Sequence, residues 1–161
     1  MSILALDLGT KCGWSVRDAS GRLHSGAWML TAAEYPNRWL ALWDHLEQAH
    51  TAHAFTTVVF EDVHRHTGTR AAHVYGGLKA VLEMWVESHA NQGAKINLCW
   101  WNVATIKRTA TGKGNAKKPA MIAAMKARFG DQDVWSDDVA DALAVLYTHE
   151  CGGLPLLAER S

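Results

Sequence analysis

The chain has 161 residues, 48% of them hydrophobic and 20% charged, with sixteen Lys and Arg balanced by sixteen Asp and Glu. So apolar a chain is not disordered, and as a bare sum its charge gives no electrostatic case for a polyanionic or membrane partner. The length suits one hydrophobic core, so residues 1–161 are expected to form a single domain. Cys12, Cys99 and Cys151 are odd in number and contain no CxxC pair, which argues against a disulfide scaffold and for a reducing, intracellular setting. No run approaches the roughly twenty apolar residues that span a bilayer, and an acid at position seven interrupts the N-terminal apolar run.

Ile3 to Asp7 is a short apolar run closed by an acid and then Gly9, which reads as a buried strand ending in a tight turn. Two further strand-like runs, about Gly13 to Arg17 and about Leu23 to Leu30, flank the turn signal Asp18-Ala19-Ser20-Gly21, giving an antiparallel meander. From Pro36 to about His53, Trp39, Leu42, Trp43, Leu46 and Ala49 recur at helical spacing. Val58, Val59 and Phe60 then form a buried strand, again with an acid, Glu61, at its exit.

Asp62 to Gly68 is polar and without period, hence a loop. Thr69 is placed to cap a helix running to about Asn91, with Val74, Leu78, Val81, Leu82 and Trp85 on one face. Gly76-Gly77 inside it costs helix stability, which a close helix or subunit contact would offset. Ile96 to Val103 reads as a fifth strand, followed by a basic, glycine-bearing stretch from Lys107 to Lys118. A helix with Pro119 near its start runs to about Phe129, and the last helix begins near Ser136, with Val139, Leu143, Leu146 and Tyr147 toward the core. Strands alternating with helices after a meander predict an α/β fold on a mixed sheet. The eight tryptophans are expected in the core or at a subunit interface.

Acids at strand exits are costly unless something compensates them, and ligands of open α/β sheets bind at such exits. If the two strands are neighbours, Asp7 and Glu61 stand side by side and repel, which a divalent cation relieves. Either acid alone could instead cap a neighbouring helix. Asp137, Asp138 and Asp141 add three acids at the start of the last helix, where the dipole explains one or two of them. Asp141 lies deeper, beside the apolar face. Hard oxygen ligands from two strands and a helix suit Mg²⁺ or Mn²⁺, commonly as two ions about 4 Å apart acting on a phosphodiester.

The combination of Asp7-Leu8-Gly9 in the first strand, Glu61 ending the fourth and Asp138-Val139-Ala140-Asp141-Ala142 on the last helix resembles the RuvC-type Holliday junction resolvases of the RNase H-like superfamily. Gly76, fifteen residues after Glu61, the basic stretch Ile106 to Lys118 with its Gly112-Lys113-Gly114, and the ending Ala140 to His149 extend the likeness over nearly the whole chain. The resemblance implies an α/β, RNase H-like three-layer fold with a five-stranded mixed sheet flanked by helices. It also implies Asp7, Glu61, Asp138 and Asp141 as ligands of two Mg²⁺ ions, with Mn²⁺ able to substitute, and Lys107 and Lys118 near the scissile phosphate. A homodimer would nick four-way or branched DNA in the cytoplasm, of a bacterium or of a phage host, leaving 5′-phosphate and 3′-hydroxyl ends. Contacts to that DNA fall on His64, Arg65, Lys107, Arg108, Lys113, Lys117 and Lys118, and the dimer face on the helix with Gly76-Gly77.

Three residues after the Glu, many members carry an aromatic wedge; here His64 stands in that place, so junction opening is weaker or moved to Arg65 or His66. Asp137 falls outside the pattern and reads as a helix N-terminal acid. The opening Ala5 to Lys11 is also similar to the YqgF/RuvX nucleases, whose expected task is RNA processing, and a non-catalytic DNA-binding module on the same fold is the third reading. The charge distribution favours a polyanion after all. Ser88 to Gly130 holds eight cations and no acid, whereas seven acids and only Arg160 lie from Asp131 onward.

Overall fold

Among residues 1–31, 37–66 and 68–153, which the computed structural model describes, five strands and five helices form. The strands are β1 (Ile3–Asp7), β2 (Lys11–Arg17), β3 (Leu23–Met29), β4 (Thr57–Asp62) and β5 (Asn97–Asn102). The helices are α1 (Arg38–His53), α2 (Thr69–Asn91), α3 (Val103–Thr111), α4 (Lys118–Phe129) and α5 (Asp137–Glu150). One mixed sheet has the order β3-β2-β1-β4-β5, with the β1–β2 and β2–β3 pairs antiparallel and the β1–β4 and β4–β5 pairs parallel. The meander and the five-stranded α/β arrangement expected from the sequence are both present.

Strand side chains alternate between faces, and here the alternation divides the core in two. Leu4, Leu6, Val16, Val58 and Phe60 face α1 and α2, where Leu42, Leu46, Leu78, Leu82 and Trp85 meet them. Ile3, Ala5 and Val59 face the other way, onto Ile106, Met121, Met125, Val139, Ala140 and Leu143 from α3, α4 and α5. The result is three layers, helices on each side of the sheet. No helix among the described residues is long and apolar enough to cross a membrane.

Several local expectations change. The basic stretch expected between Lys107 and Lys118 is helical in its first half, because α3 opens straight off β5: Asn102 Oδ1 accepts the Thr105 N–H at 2.9 Å, and Ile106, Thr109 and Ala110 are buried at i, i+3 and i+4. Thr69 does not cap α2; it is the first helical residue, Gly68 occupies the cap, and no side chain caps that end. The helix expected from Pro36 starts at Arg38, capped by Asn37 Oδ1, which accepts the Trp39 and Leu40 N–H groups at 2.9 and 3.4 Å. Pro36 itself lies outside the described residues, as does Thr67. Of the glycine pair, only Gly77 serves a close contact: a Cβ there would fall on the Trp39 ring of α1, within 2.6 Å of Cζ3, whereas nothing approaches Gly76 within 4 Å. The tryptophans divide likewise, with Trp28 and Trp85 buried but Trp100 57% and Trp135 60% exposed.

Candidate active site

Because β1 and β4 run parallel with Leu6 opposite Phe60, the next residues, Asp7 and Glu61, come side by side at the same end of the sheet. Parity settles the face. Asp7 follows Ile3 and Ala5, and Glu61 follows Val59, so both carboxylates point to the α3–α5 layer.

The first turn of α5 lies directly over them, and β2 makes the seat. Gly13 is the partner of Asp7 in the β1–β2 ladder, and a Cβ on it would press into the Asp138 carbonyl, 2.6 Å from the carbonyl carbon. Only a residue without a side chain lets the helix backbone approach so closely. Two residues on, the buried Ser15 hydroxyl donates to the Ala142 carbonyl at 3.1 Å and holds the next turn. Ser136 caps the helix, its Oγ accepting the Val139 N–H at 3.2 Å.

The electrostatics register the crowding. Burial first, then the charges of Glu61, Asp141 and Asp138, hold the Asp7 carboxyl far above the usual carboxylate range. Burial, followed by Asp141, pushes Glu61 up to about 7 against the pull of Lys107. Asp141 rises to about 6, again through burial, with Lys118 opposing and Asp137 and Asp138 adding to it. Four acids thus feel one another in one place.

Glu61 and Asp141 open into a recess of about 220 Å³ whose wall includes Lys107, Lys118, Val103, Ile106 and Met121. A larger cavity, about 760 Å³, lies across the sheet beside Leu8, Val74 and Tyr75 and contains none of the acids. The smaller recess is the one that brings acids and lysines together. Lys107 reaches it from α3 and Lys118 from the first residue of α4, where its ammonium pairs with Asp137 at 2.7 Å. Asp137, expected as a helix N-terminal acid, therefore also anchors a lysine. Arg108, Lys113 and Lys117 are exposed on the same segment. His64 and Arg65 are exposed beyond β4, and His64 Nε2 lies 3.2 Å from Asp62 Oδ2, on the opposite face of the sheet from Glu61.

Three contributors were not singled out from the sequence as parts of the site. Lys11, at the start of β2, holds Asp138 Oδ2 at 2.7 Å. Gly13 seats α5. Tyr75, buried in α2, spans the end of β4: its hydroxyl donates to the Glu61 carbonyl at 3.0 Å and accepts the Val63 N–H at 3.1 Å. The first could have been found from Lys11 lying four residues past Asp7 across a tight turn; the other two depend on packing.

Hard oxygen donors that burial and mutual repulsion keep reluctant to ionise are a fitting environment for divalent cations. Among the described residues, no three acidic, His or Cys side chains gather closely enough to grip an ion as they stand.

The sequence profile of the crossover junction endodeoxyribonuclease RuvC family matches residues 3–149. The chain belongs to that family. A RuvC crossover junction endodeoxyribonuclease from Nitratidesulfovibrio vulgaris is 27% identical over 154 residues, covering 92% of this chain and 90% of its own. Among solved structures, Thermus thermophilus RuvC in complex with a Holliday junction substrate superposes with a TM-score of 0.77 at 18% identity, over 93% of each chain. The yeast mitochondrial Holliday junction resolvase superposes at 0.56 and 11% identity, over 90% of this chain and 77% of its own. The RuvC fold is thus the fold of this chain.

Proposed function

We propose that this RuvC-family chain is a metal-dependent endodeoxyribonuclease that resolves four-way junctions and related branched DNA. The observation carrying this reading is the pair of carboxylates at adjacent exits of β1 and β4, faced by Asp141 and flanked by Lys107 and Lys118 in one recess. Asp7, Glu61, Asp138 and Asp141 would hold two Mg²⁺ ions, or Mn²⁺ in their place. When bound, such ions activate the attacking water and neutralise the departing 3′ oxygen.

The chain's own residues do the rest. Lys107 and Lys118 draw the phosphodiester to an acidic centre that would otherwise repel it. Arg108, Lys113 and Lys117 extend that cationic surface along the strand, and His64 with Arg65 contacts the junction from the loop beyond β4. Gly13 and Ser15 keep the α5 acids in register with the strand acids. The nick leaves a 5′-phosphate and a 3′-hydroxyl.

A four-way junction has two-fold symmetry, so a homodimer can present two such sites to opposing strands. The outward stripe of α2, Gly76, Ala80 and Met84, is the face we assign to that contact, since Gly77 is already filled by Trp39. Light scattering on the purified protein tests the dimer. We place the reaction in the cytoplasm, where the three free thiols stay reduced.

The deciding experiment incubates the protein and an Asp7→Asn variant with a four-way junction, a linear duplex and a structured RNA, in Mg²⁺ and in EDTA. Nicking of the junction by the unaltered protein alone, in Mg²⁺ alone, is the expected result. A preference for the RNA, or cleavage that survives EDTA, would overturn the reading.

A further inference from the structure

The two first-turn acids of α5 are each tied to a lysine from another element, Asp137 to Lys118 and Asp138 to Lys11, both at 2.7 Å. Among the described residues Asp7, Glu61 and Asp141 have no ion pair of their own. Among the described residues Asp138 is thus the one acid assigned to the metals that is already paired with a cation, while Lys107 and Lys118 act on the other three only from beyond ion-pair reach.

The geometry of that pair is one-sided. The Asp138 side chain is 18% exposed and that of Lys11 is 42% exposed, so the carboxylate lies inward and the ammonium toward solvent. Lys11 stands just after the turn that follows Asp7, on a flexible four-carbon stem, and it can swing away without disturbing the β1–β2 ladder. A compact ammonium on Asp138 supplies that carboxylate with positive charge, as a divalent ion bound there would.

We propose that Lys11 is the exchangeable counter-ion of Asp138, holding that carboxylate in the metal-free protein and giving it up when a divalent cation enters. The assignment rests on the metal-nuclease reading above and makes Lys11 a positioning residue that sets how readily the site loads. Lys118 differs in that the carboxylate it pairs with, Asp137, is not among the acids assigned to the metals, and it acts on Asp7 and Asp141 from a distance.

Two measurements on the full chain without DNA test the exchange. Titration calorimetry with Mn²⁺ should show Lys11→Met binding the ion about 2- to 5-fold more tightly than the unaltered protein, the factor a partly exposed ion pair represents. Lys11→Arg keeps the cation and should bind Mn²⁺ no more tightly than the unaltered protein. A crystal structure of the Mn²⁺-loaded protein should place Lys11 Nζ beyond ion-pair reach of Asp138, more than about 4 Å away. Equal or weaker Mn²⁺ binding by Lys11→Met, or a Lys11–Asp138 pair intact beside bound Mn²⁺, overturns the proposal and leaves the nuclease reading standing. An unaltered protein that takes up no Mn²⁺ at all overturns both.

Discussion

Replacing Glu61 by Gln should make the metal-free protein more stable while abolishing its nicking. In the folded chain the Glu61 carboxyl is raised from its ordinary 4.5 to about 7, burial being the main cause. An acid whose folded value is raised costs the folded state as it ionises, so the penalty grows as pH climbs from 4.5 through 7 and is complete above that. At about 1.4 kcal/mol per pH unit, the cost at pH 8 is about 3 kcal/mol, and at pH 5 it is below about 1 kcal/mol. Glutamine keeps the shape and never ionises. In EDTA at pH 8 the variant should unfold roughly 6 to 12 °C above the unaltered protein, and at pH 5 the two should nearly coincide. Saturating Mn²⁺ should reverse the order at pH 8, because only the intact donor set gains binding free energy. Scanning calorimetry at the two pH values, with EDTA and with Mn²⁺, makes the comparison. A variant no more stable at pH 8 in EDTA, or equally favoured at pH 5, would refute the claim that burial of this charge strains the metal-free fold.

Gly13→Ala should cost about 1–3 kcal/mol of stability by forcing the first turn of α5 off the sheet, and should weaken Mn²⁺ binding with it; urea unfolding and calorimetry check both. Tyr75→Phe keeps the ring packing but strands the Val63 N–H and the Glu61 carbonyl, for a loss of about 1–2 kcal/mol. Its single-turnover nicking rate should fall while its affinity for the junction is kept, and a loss of affinity alone would contradict the role given to the phenol. Lys118→Ala should lower the nicking rate at least about tenfold, about 1.4 kcal/mol of barrier, with the thermal midpoint hardly moved. An unfolded variant would make that lysine structural.

The acids at Asp7 and Glu61 were legible in the sequence because each ends an unbroken apolar run, and an ionisable group in that position stands out whatever the fold. Their adjacency depended on one further fact, the parallel pairing of β1 with β4, which the sequence left as a condition. Helix α3 was hidden for the opposite reason. It has nine residues, four of them Thr or Val, and its cap Asn102 is also the last residue of a strand, so no period had room to show. The Thr69 cap failed because a threonine before an apolar period is a good signal only if the chain enters the helix there, and here Gly68 takes that position. Lys11 and Gly13 escaped notice since their roles come from Asp138, about 125 residues away in the chain, and nothing local marks either residue. In this protein long-range packing on β2 decides what the sequence pattern leaves open.

Glu61 and Asp62 are consecutive in the chain, and they serve different faces of the sheet: the first looks into the recess, while the second, among Lys79, Tyr75 and His64, looks toward α2. Reading frame along β4 is therefore as much a part of the site as composition. Removing a single residue from Thr57–Phe60 while keeping the exit in place would turn every preceding apolar side chain to the wrong layer. Sliding the exit instead would swing Asp62 into the acid cluster and carry Glu61 away from it. The strand between the two layers therefore tolerates no change of length, whatever substitutions its neighbours accept.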